Sequence, residues 1–127
     1  MENKTQKIIE IGKFYLIHDG SKTGHPGFVV WKDDDLNRYI LIKFDSDKQG
    51  DIPKKDRGIR HITRLKHPIS SDVATTYVKN RPIICRRKDL WNKELIDLHI
   101  NDDDMELIKE IAKKEPIKGP SLRKKRY

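Results

Sequence analysis

The sequence predicts a mainly β protein with one C-terminal helix, folded as a small half-open β-barrel of about five strands. Three observations lead to this prediction. The chain of 127 residues contains 17 isoleucines, and β-branched side chains favour strands. Its apolar runs are short and follow one another at spacings of roughly 10–15 residues, which is typical of a β-meander rather than of alternating strands and helices. Apolar residues take a helical spacing only near the end of the chain.

Strands are expected where short apolar runs lie between clusters of turn-forming residues. The predicted strands span residues 11–17, 27–32, 38–44 and 59–65, with one or two short strands within 75–86. Pro82 argues against a central ladder position in that last segment, because proline cannot donate a backbone hydrogen bond. Residues 45–58 are polar and contain two glycines and a proline, so they are expected to form a long exposed loop.

The helix is predicted to follow Asn101. Apolar residues then recur at helical spacing, at Met105, Ile108, Ile111 and Ala112. Asn101 or Asp102 can cap the first turn, where unpaired N–H groups and the positive end of the helix dipole favour carboxylates. Pro116 stops the helix. We therefore expect a single domain at residues 1–115, made of the barrel and its closing helix, and a basic, flexible tail at 116–127.

The charge of the chain indicates a polyanionic partner. Lys and Arg number 28 against 20 Asp and Glu, which gives a net charge of +8 and favours nucleic acid over an anionic membrane. Basic residues concentrate at 54–60, at 79–88 and in the last dozen residues, and exposed aromatic rings could stack on unpaired bases. The predicted nucleic-acid-binding residues are Lys22, Trp31, Lys54, Lys55, Arg57, Arg60, Arg86 and Arg87.

Other kinds of chemistry find little support in the sequence. The single cysteine, Cys85, excludes an internal disulfide and a multi-cysteine zinc site, and its apolar neighbours predict a buried, inert thiol. The histidines do not fit a zinc-binding spacing, so we expect neither a metal nor another cofactor. No apolar run approaches the length of a membrane span and no secretory signal is evident, so we expect a cytoplasmic protein that does not associate with membranes.

The order of motifs along the chain resembles a known family. Residues 12–17 read Gly-Lys-Phe-Tyr-Leu-Ile, and residues 20–30 read Gly-Ser-Lys-Thr-Gly-His-Pro-Gly-Phe-Val-Val. A further strand leads into Leu-Ile-Lys-Phe-Asp-Ser-Asp at 41–47, and the helical segment after Asn101 closes the series. Over roughly residues 10–115 this order is similar to that of the PemK/MazF family of plasmid-type toxins, which share the barrel of the gyrase poison CcdB.

The resemblance implies a fold, an activity and partners. It implies an SH3-like barrel and a protein of a toxin–antitoxin system or another mobile genetic element. Members of this family mostly cut single-stranded RNA without a metal and leave a cyclic phosphate end. The resemblance therefore implies a metal-independent endoribonuclease with single-stranded RNA as its substrate, a homodimer, and a small acidic antitoxin as its partner.

Two residues of this chain match positions that are active in the family. Ser46 corresponds to a Thr or Ser after the third strand, with Ser70 as a second match, and is expected to contact a phosphate or hydroxyl group. His25 stands where the family has an Arg before the loop proline, and a loop histidine can transfer a proton near neutral pH. The missing cation could come from a basic residue elsewhere: Lys22, Arg57 or Arg60.

The histidine in place of arginine leaves two functions open. Arginine is a fixed, bidentate cation, whereas histidine is neutral for much of its time at pH 7. Either His25 takes over as acid or base and the protein cleaves RNA, or the protein is a non-catalytic module that binds nucleic acid or a protein on the same barrel. Salt-dependent nucleic-acid binding without turnover would favour the second function.

Overall fold

The computed structural model describes residues 8–47 and 52–119. In these ranges the chain forms eight β-strands, two α-helices and one short 3₁₀-helix at Arg87–Asp89. The strands are β1 Phe14–Ile17, β2 His25–Asp33, β3 Arg38–Asp47, β4 Ile62–Arg64, β5 Thr75–Lys79, β6 Ile83–Cys85, β7 Leu90–Glu94 and β8 Ile117–Lys118. The helices are α1 Lys54–Arg60 and α2 Asp102–Ala112.

Strand β3 joins two segments of the sheet. Its first half pairs with β2 on one side and with β6 on the other, and its second half pairs with β5. The sheet runs in the order β4-β5-β3-β2-β1-β7, and β8 adds to β6 in parallel. The ten residues of β3 therefore link the N-terminal hairpin to β5 and β6, while β1 also pairs directly with β7.

Side chains that alternate across β3 divide the core into two clusters. Leu41 packs in a first cluster with residues of β1, β2, β6 and β7. Ile42 and Phe44 point to the opposite face and pack in a second cluster that includes the buried face of α2. Because residues two apart in a strand share a face, Lys43 and Asp45 continue the face of Leu41. A polar region therefore begins where the first apolar cluster ends.

Helix α2 confirms the C-terminal helix that the sequence predicts. The side-chain oxygen of Asn101 accepts a hydrogen bond from the backbone N–H of Asp103 at 2.9 Å, which is the expected N-terminal cap. Ile108 and Ile111 are buried on the face that packs against the sheet. The helix ends at Ala112, four residues before Pro116.

Asp104 has a role that its position in the first turn of α2 did not indicate. The residue is 3% exposed, and its carboxylate accepts the backbone N–H groups of Lys66 at 2.7 Å and His67 at 3.0 Å. These two residues lie in the connection between β4 and β5. Asp104 therefore fixes that connection to the helix, in addition to any interaction with the helix dipole.

The predicted fold class is confirmed, while several boundaries differ. The protein is mainly β with a C-terminal helix and a sheet that does not close, but it has eight strands rather than about five. Residues 45–58, expected as a loop, contain the end of β3 and most of α1. Helix α1 buries no residue, so it leaves no apolar period in the sequence. β7 and β8 were not predicted, since β7 is largely polar and β8 has two residues.

The C-terminal segment is partly ordered into the sheet. Ile117 and Lys118, which fall in the predicted flexible tail, form β8 and pair with Ile83 and Ile84. The remainder of the predicted tail, residues 120–127, lies outside the described residues. No helix in the described ranges is both long and apolar enough to cross a membrane.

Candidate functional site

The loop between β1 and β2 places His25 at the start of β2. Gly24 precedes it with φ of 75°, a backbone conformation that residues with a side chain rarely adopt. A Cβ atom at Gly24 would lie 2.6 Å from the carbonyl oxygen of Ile17. His25 is itself opposite Ile17 in the β1–β2 ladder. The loop can therefore close over the end of β1 only with glycine before the histidine.

Asp19 is the central acceptor of the site. Its side chain is 2% exposed, and its Oδ2 atom accepts hydrogen bonds from Nδ1 of His25 and from Nζ of Lys43, both at 2.6 Å. Its Oδ1 atom accepts the hydroxyl of Ser21 at 2.6 Å and the backbone N–H of Ser21 at 3.1 Å. Burial alone would raise the pKa of Asp19, but the hydrogen bonds from Lys43, Ser21 and His25 outweigh it and hold that pKa below its usual range.

A second carboxylate lies on the other side of the imidazole. Oδ1 of Asp45 is 3.7 Å from Nε2 of His25. The carboxylates of Asp45 and Asp19 raise the pKa of His25 above its ordinary value of 6.5, against the opposing effect of burial. The imidazolium in turn lowers the pKa of Asp45. His25 is therefore held between two acceptors that favour its charged form, with its Nε2 side toward Asp45.

Lys43, the second partner of Asp19, lines a pocket of about 470 Å³ with a cationic wall. Its charged and titratable lining residues are Lys43, Arg60, His61, Lys79, Arg81 and Lys114. Ile83 and Ile117 form an apolar part of the wall, and no carboxylate among the described residues lines the pocket. Lys43 belongs both to this pocket and to the Asp19 cluster, so the two features form one site.

Two lysines lie close together at the pocket wall. Lys43 precedes Phe44 and Lys79 follows Val78, and Phe44 pairs with Val78 across β3 and β5. Like charges close together on neighbouring strands are destabilising. Burial and the charge of Lys43 lower the pKa of Lys79. Lys43 is neutralised by Asp19, whereas Lys79 has no ion-pair partner at 4 Å or less in residues 8–47 and 52–119. An anion in the pocket would relieve this repulsion.

The structure brings some of the predicted site residues together. His25 lies at the centre of the site, and Arg60 lines the adjoining pocket. Ser46 does not join them, because strand alternation places it on the face of β3 opposite Lys43 and Asp45. Its hydroxyl is 3.2 Å from the hydroxyl of Thr76 on β5. Ser70, the second match, has its hydroxyl bonded to the backbone N–H of Asp72 in the connection between β4 and β5.

The predicted basic residues around α1 divide into two kinds. Lys54 and Lys55 are exposed at its first turn. Arg57 is half-buried and has a structural role: its Nε donates to the carbonyl of Ile52 at 2.8 Å, and its guanidinium lies 5.6 Å from the ring centre of Tyr77. Of the predicted cations in this segment, Arg60 is the one that reaches the pocket.

The remaining predicted residues lie elsewhere on the surface. Lys22 is exposed in the loop that precedes His25, and Trp31 is 43% exposed on β2. Arg86 is exposed beside a second groove, which is described below. Arg87 is half-buried and donates to the hydroxyl of Tyr39 at 2.6 Å, so its guanidinium stabilises the fold. The burial of Cys85 is as predicted, and burial raises its pKa to about 12.

The sequence did not single out four residues of the site: Asp19, Lys43, Asp45 and Lys79. Lys43 carried a signal, since it is a lone charge in the apolar run of β3 and such a residue needs a buried partner. Asp19 lay in a segment dense in turn residues, where an aspartate is unremarkable. Asp45 and Lys79 become neighbours of His25 only through strand pairing.

No protein-family model, curated protein or solved structure matches this chain. Among the residues that the structure describes, no group of three or more His, Cys, Asp or Glu side chains is placed to hold a metal ion. The function is therefore inferred from the geometry of this site, together with the resemblance in the order of sequence motifs.

Proposed function

We propose that this protein binds single-stranded RNA and cleaves it by metal-independent attack of the 2′-hydroxyl, with His25 as the proton donor. One observation carries the proposal: an imidazole held between two carboxylates shares Asp19 with Lys43, and Lys43 lines a pocket whose charged side chains are cationic. A proton donor and a phosphate-binding wall are what transfer of a phosphoryl group within RNA requires. The resemblance to the PemK/MazF family supports the same activity.

Each charged group has a place in this reaction. The 2′-oxygen attacks the adjacent phosphorus, and the bond from phosphorus to the 5′-oxygen breaks. Asp45 accepts the 2′-hydroxyl proton, and Nε2 of His25 gives its proton to the leaving 5′-oxygen. The products are a 2′,3′-cyclic phosphate and a 5′-hydroxyl end. Lys79 and Arg60 stabilise the negative charge that builds up on the phosphoryl oxygens.

Asp19 acts on the reaction through His25. It accepts a hydrogen bond from Nδ1 at 2.6 Å, which orients the ring and leaves Nε2 on the side of Asp45. A carboxylate at this position also stabilises the charged imidazole and raises the pKa of His25, which favours its role as a proton donor. Asp19 is therefore a positioning residue in this proposal, and Ser46, on the other face of β3, has no role in proton transfer.

The test is an RNA cleavage assay with purified protein in the presence of EDTA. We expect cleavage of a labelled single-stranded RNA to give a cyclic phosphate end. We expect His25→Gln to reduce the rate by at least about 100-fold while RNA binding persists. Because His25 must be protonated, the rate of the wild-type protein falls as pH rises through its raised pKa, above 6.5.

Control variants separate the proposed roles. His99→Gln changes an exposed histidine away from the site and should leave the rate unchanged. Ser46→Ala tests the role that the resemblance implies: a loss of cleavage as large as in His25→Gln would place Ser46 in the reaction and contradict our assignment. Cleavage at the wild-type rate in His25→Gln would overturn the proposal.

A second function is favoured by one specific observation. His25 is bound on both sides by carboxylates, and the pKa of Asp45, its proposed partner in catalysis, is lowered, which weakens it as a base. The alternative is therefore a module that binds single-stranded nucleic acid without cleaving it. RNA binding that weakens steeply with salt, with intact RNA after prolonged incubation, would select this function.

A further inference from the structure

A second cationic groove lies on the other side of the ribbon formed by β6 and β8. Its volume is about 710 Å³, and four basic residues line it: Arg38, Arg86, Lys88 and Lys118. These residues come from β3, from the segment around the 3₁₀-helix and from β8, so the fold brings them together from distant parts of the sequence. Only Arg86 among them was predicted to bind nucleic acid.

The positive charge of this groove is largely uncompensated. One carboxylate, Asp89, lines the groove, and it accepts the backbone N–H of Arg86 at 2.8 Å. None of the four basic side chains forms an ion pair with another residue of the described ranges. Concentrated cations of this kind are the electrostatic signature of phosphate binding.

The β6–β8 ribbon separates this groove from the pocket that Lys43 lines. Ile83 pairs with Ile117, and both line the first pocket. The next pair, Ile84 with Lys118, lines the second groove. The pocket and the groove share no lining residue, and they adjoin the ribbon at successive residue pairs.

We propose that the second groove is a phosphate subsite for the same RNA strand whose phosphate occupies the pocket that Lys43 lines. This inference rests on the proposed function. One small anion cannot occupy both surfaces, whereas a flexible single strand can pass over the ribbon and place successive phosphates on each side. The ligand is therefore an oligonucleotide of several nucleotides. A dinucleotide occupies only the pocket that Lys43 lines.

The test compares two lengths of RNA in fluorescence anisotropy titrations, with labelled single strands of two and twelve nucleotides. We expect the double variant Arg86→Gln/Lys118→Gln to weaken binding of the longer strand about tenfold or more. It should also make the slope of log K against log salt shallower by about 1.4. Each phosphate contact contributes about 0.7 to that slope for single strands, and the variant removes two contacts. Binding of the dinucleotide should be unchanged.

A matched control removes the same charge elsewhere. Lys93→Gln/Lys109→Gln changes two exposed lysines on β7 and α2 and should weaken binding of the longer strand much less than the groove variant. Circular dichroism and thermal unfolding check that each variant is folded. If the groove variant is unfolded, Lys88→Gln alone should still weaken binding of the longer strand and flatten its salt slope by about 0.7.

The outcomes distinguish this inference from the proposed function. If the wild-type protein binds both lengths and the groove variant leaves the longer strand unaffected, or weakens both lengths equally, the second subsite is overturned and the proposed function stands. If the wild-type protein binds neither length, both are overturned. We expect Arg60→Gln/Lys79→Gln to lose binding of both RNA lengths, and the groove variant to lose binding of the longer strand only. That result supports the second subsite and the proposed function together.

Discussion

At the scale of single residues, Asp19 holds the site together. Its buried carboxylate accepts from His25 and Lys43 at the same distance, 2.6 Å, and Ser21 occupies its other oxygen. With Asp45 on the far side of the imidazole, two negative and two positive groups lie in one cluster. Burying such charges is favourable only while each one keeps its partners. Removing Asp19 would leave two cations side by side at the edge of the core.

Asp19→Asn should destabilise the protein by about 3 kcal/mol at pH 7, because it leaves Lys43 and His25 without their shared carboxylate. It should also lower the pKa of His25. The pKa of Asp19 is depressed in the folded state, so its contribution is present above its ordinary value of 3.8 and is lost as pH falls below it. Urea unfolding at several pH values, with NMR titration of His25, measures both effects.

Ser21→Ala is the control for this variant. It removes one hydrogen bond to Asp19 and keeps both ion pairs, so we expect a loss of about 1 kcal/mol and little change in the pKa of His25. Equal stability of Asp19→Asn and the wild type at pH 7, or a difference that grows as pH falls below 3.8, would contradict the role given to Asp19.

At the scale of elements, predictability follows the amount of surface that each element buries. β2, β3 and α2 are long and amphipathic or apolar, and the sequence predicts them because their buried side chains impose a period. Helix α1 buries no residue, and β8 owes its existence to pairing with β6. Elements held by tertiary contacts leave little pattern of their own. Asp104 shows the same limit, since the backbone N–H groups that it accepts lie 37 and 38 residues earlier in the chain.

Asp104→Ala should destabilise the protein by about 2 kcal/mol or more, because it leaves the backbone N–H groups of Lys66 and His67 without an acceptor in a partly buried place. Urea unfolding monitored by circular dichroism measures the loss. The exposed neighbour Asp102, at the start of the same helix, supplies the control: Asp102→Ala loses only an interaction with the helix dipole, below about 1 kcal/mol. Similar losses in both variants would show that Asp104 acts merely through the dipole.

At the scale of the whole molecule, the net charge of +8 is distributed unevenly. Cations line two separate surfaces beside the β6–β8 ribbon. The sequence cluster at 54–60 contributes Arg60 to the first, and the cluster at 79–88 contributes to both. The sequence predicted concentrated basic charge and one candidate residue of the site, His25. It could not show that Asp19, Lys43, Asp45 and Lys79 converge there, because strand pairing across three elements brings them together.

An anion that binds these surfaces should stabilise the folded protein. We expect sodium phosphate to raise the Tm above that in sodium chloride at matched ionic strength, by about 3 °C for each kcal/mol of binding free energy. Differential scanning calorimetry measures the shift. Arg60→Gln should reduce it, and Lys109→Gln on the exposed face of α2 should not. An identical Tm in the two salts would show that the cationic surfaces do not hold phosphate under these conditions.

The parallel pairing of β8 with β6 has a consequence for the time at which the protein becomes competent to bind. During synthesis, β1 to β3 leave the ribosome before Ile117 and Lys118 are added, and chains generally begin to fold from the N-terminal side. The cluster around Asp19 uses residues 19–45 and can assemble early. The ribbon that separates the two cationic surfaces cannot exist until residue 118 is free to pair. Under the proposed function, a nascent chain would therefore carry its proton donor before it has the ribbon that lies between the two cationic surfaces.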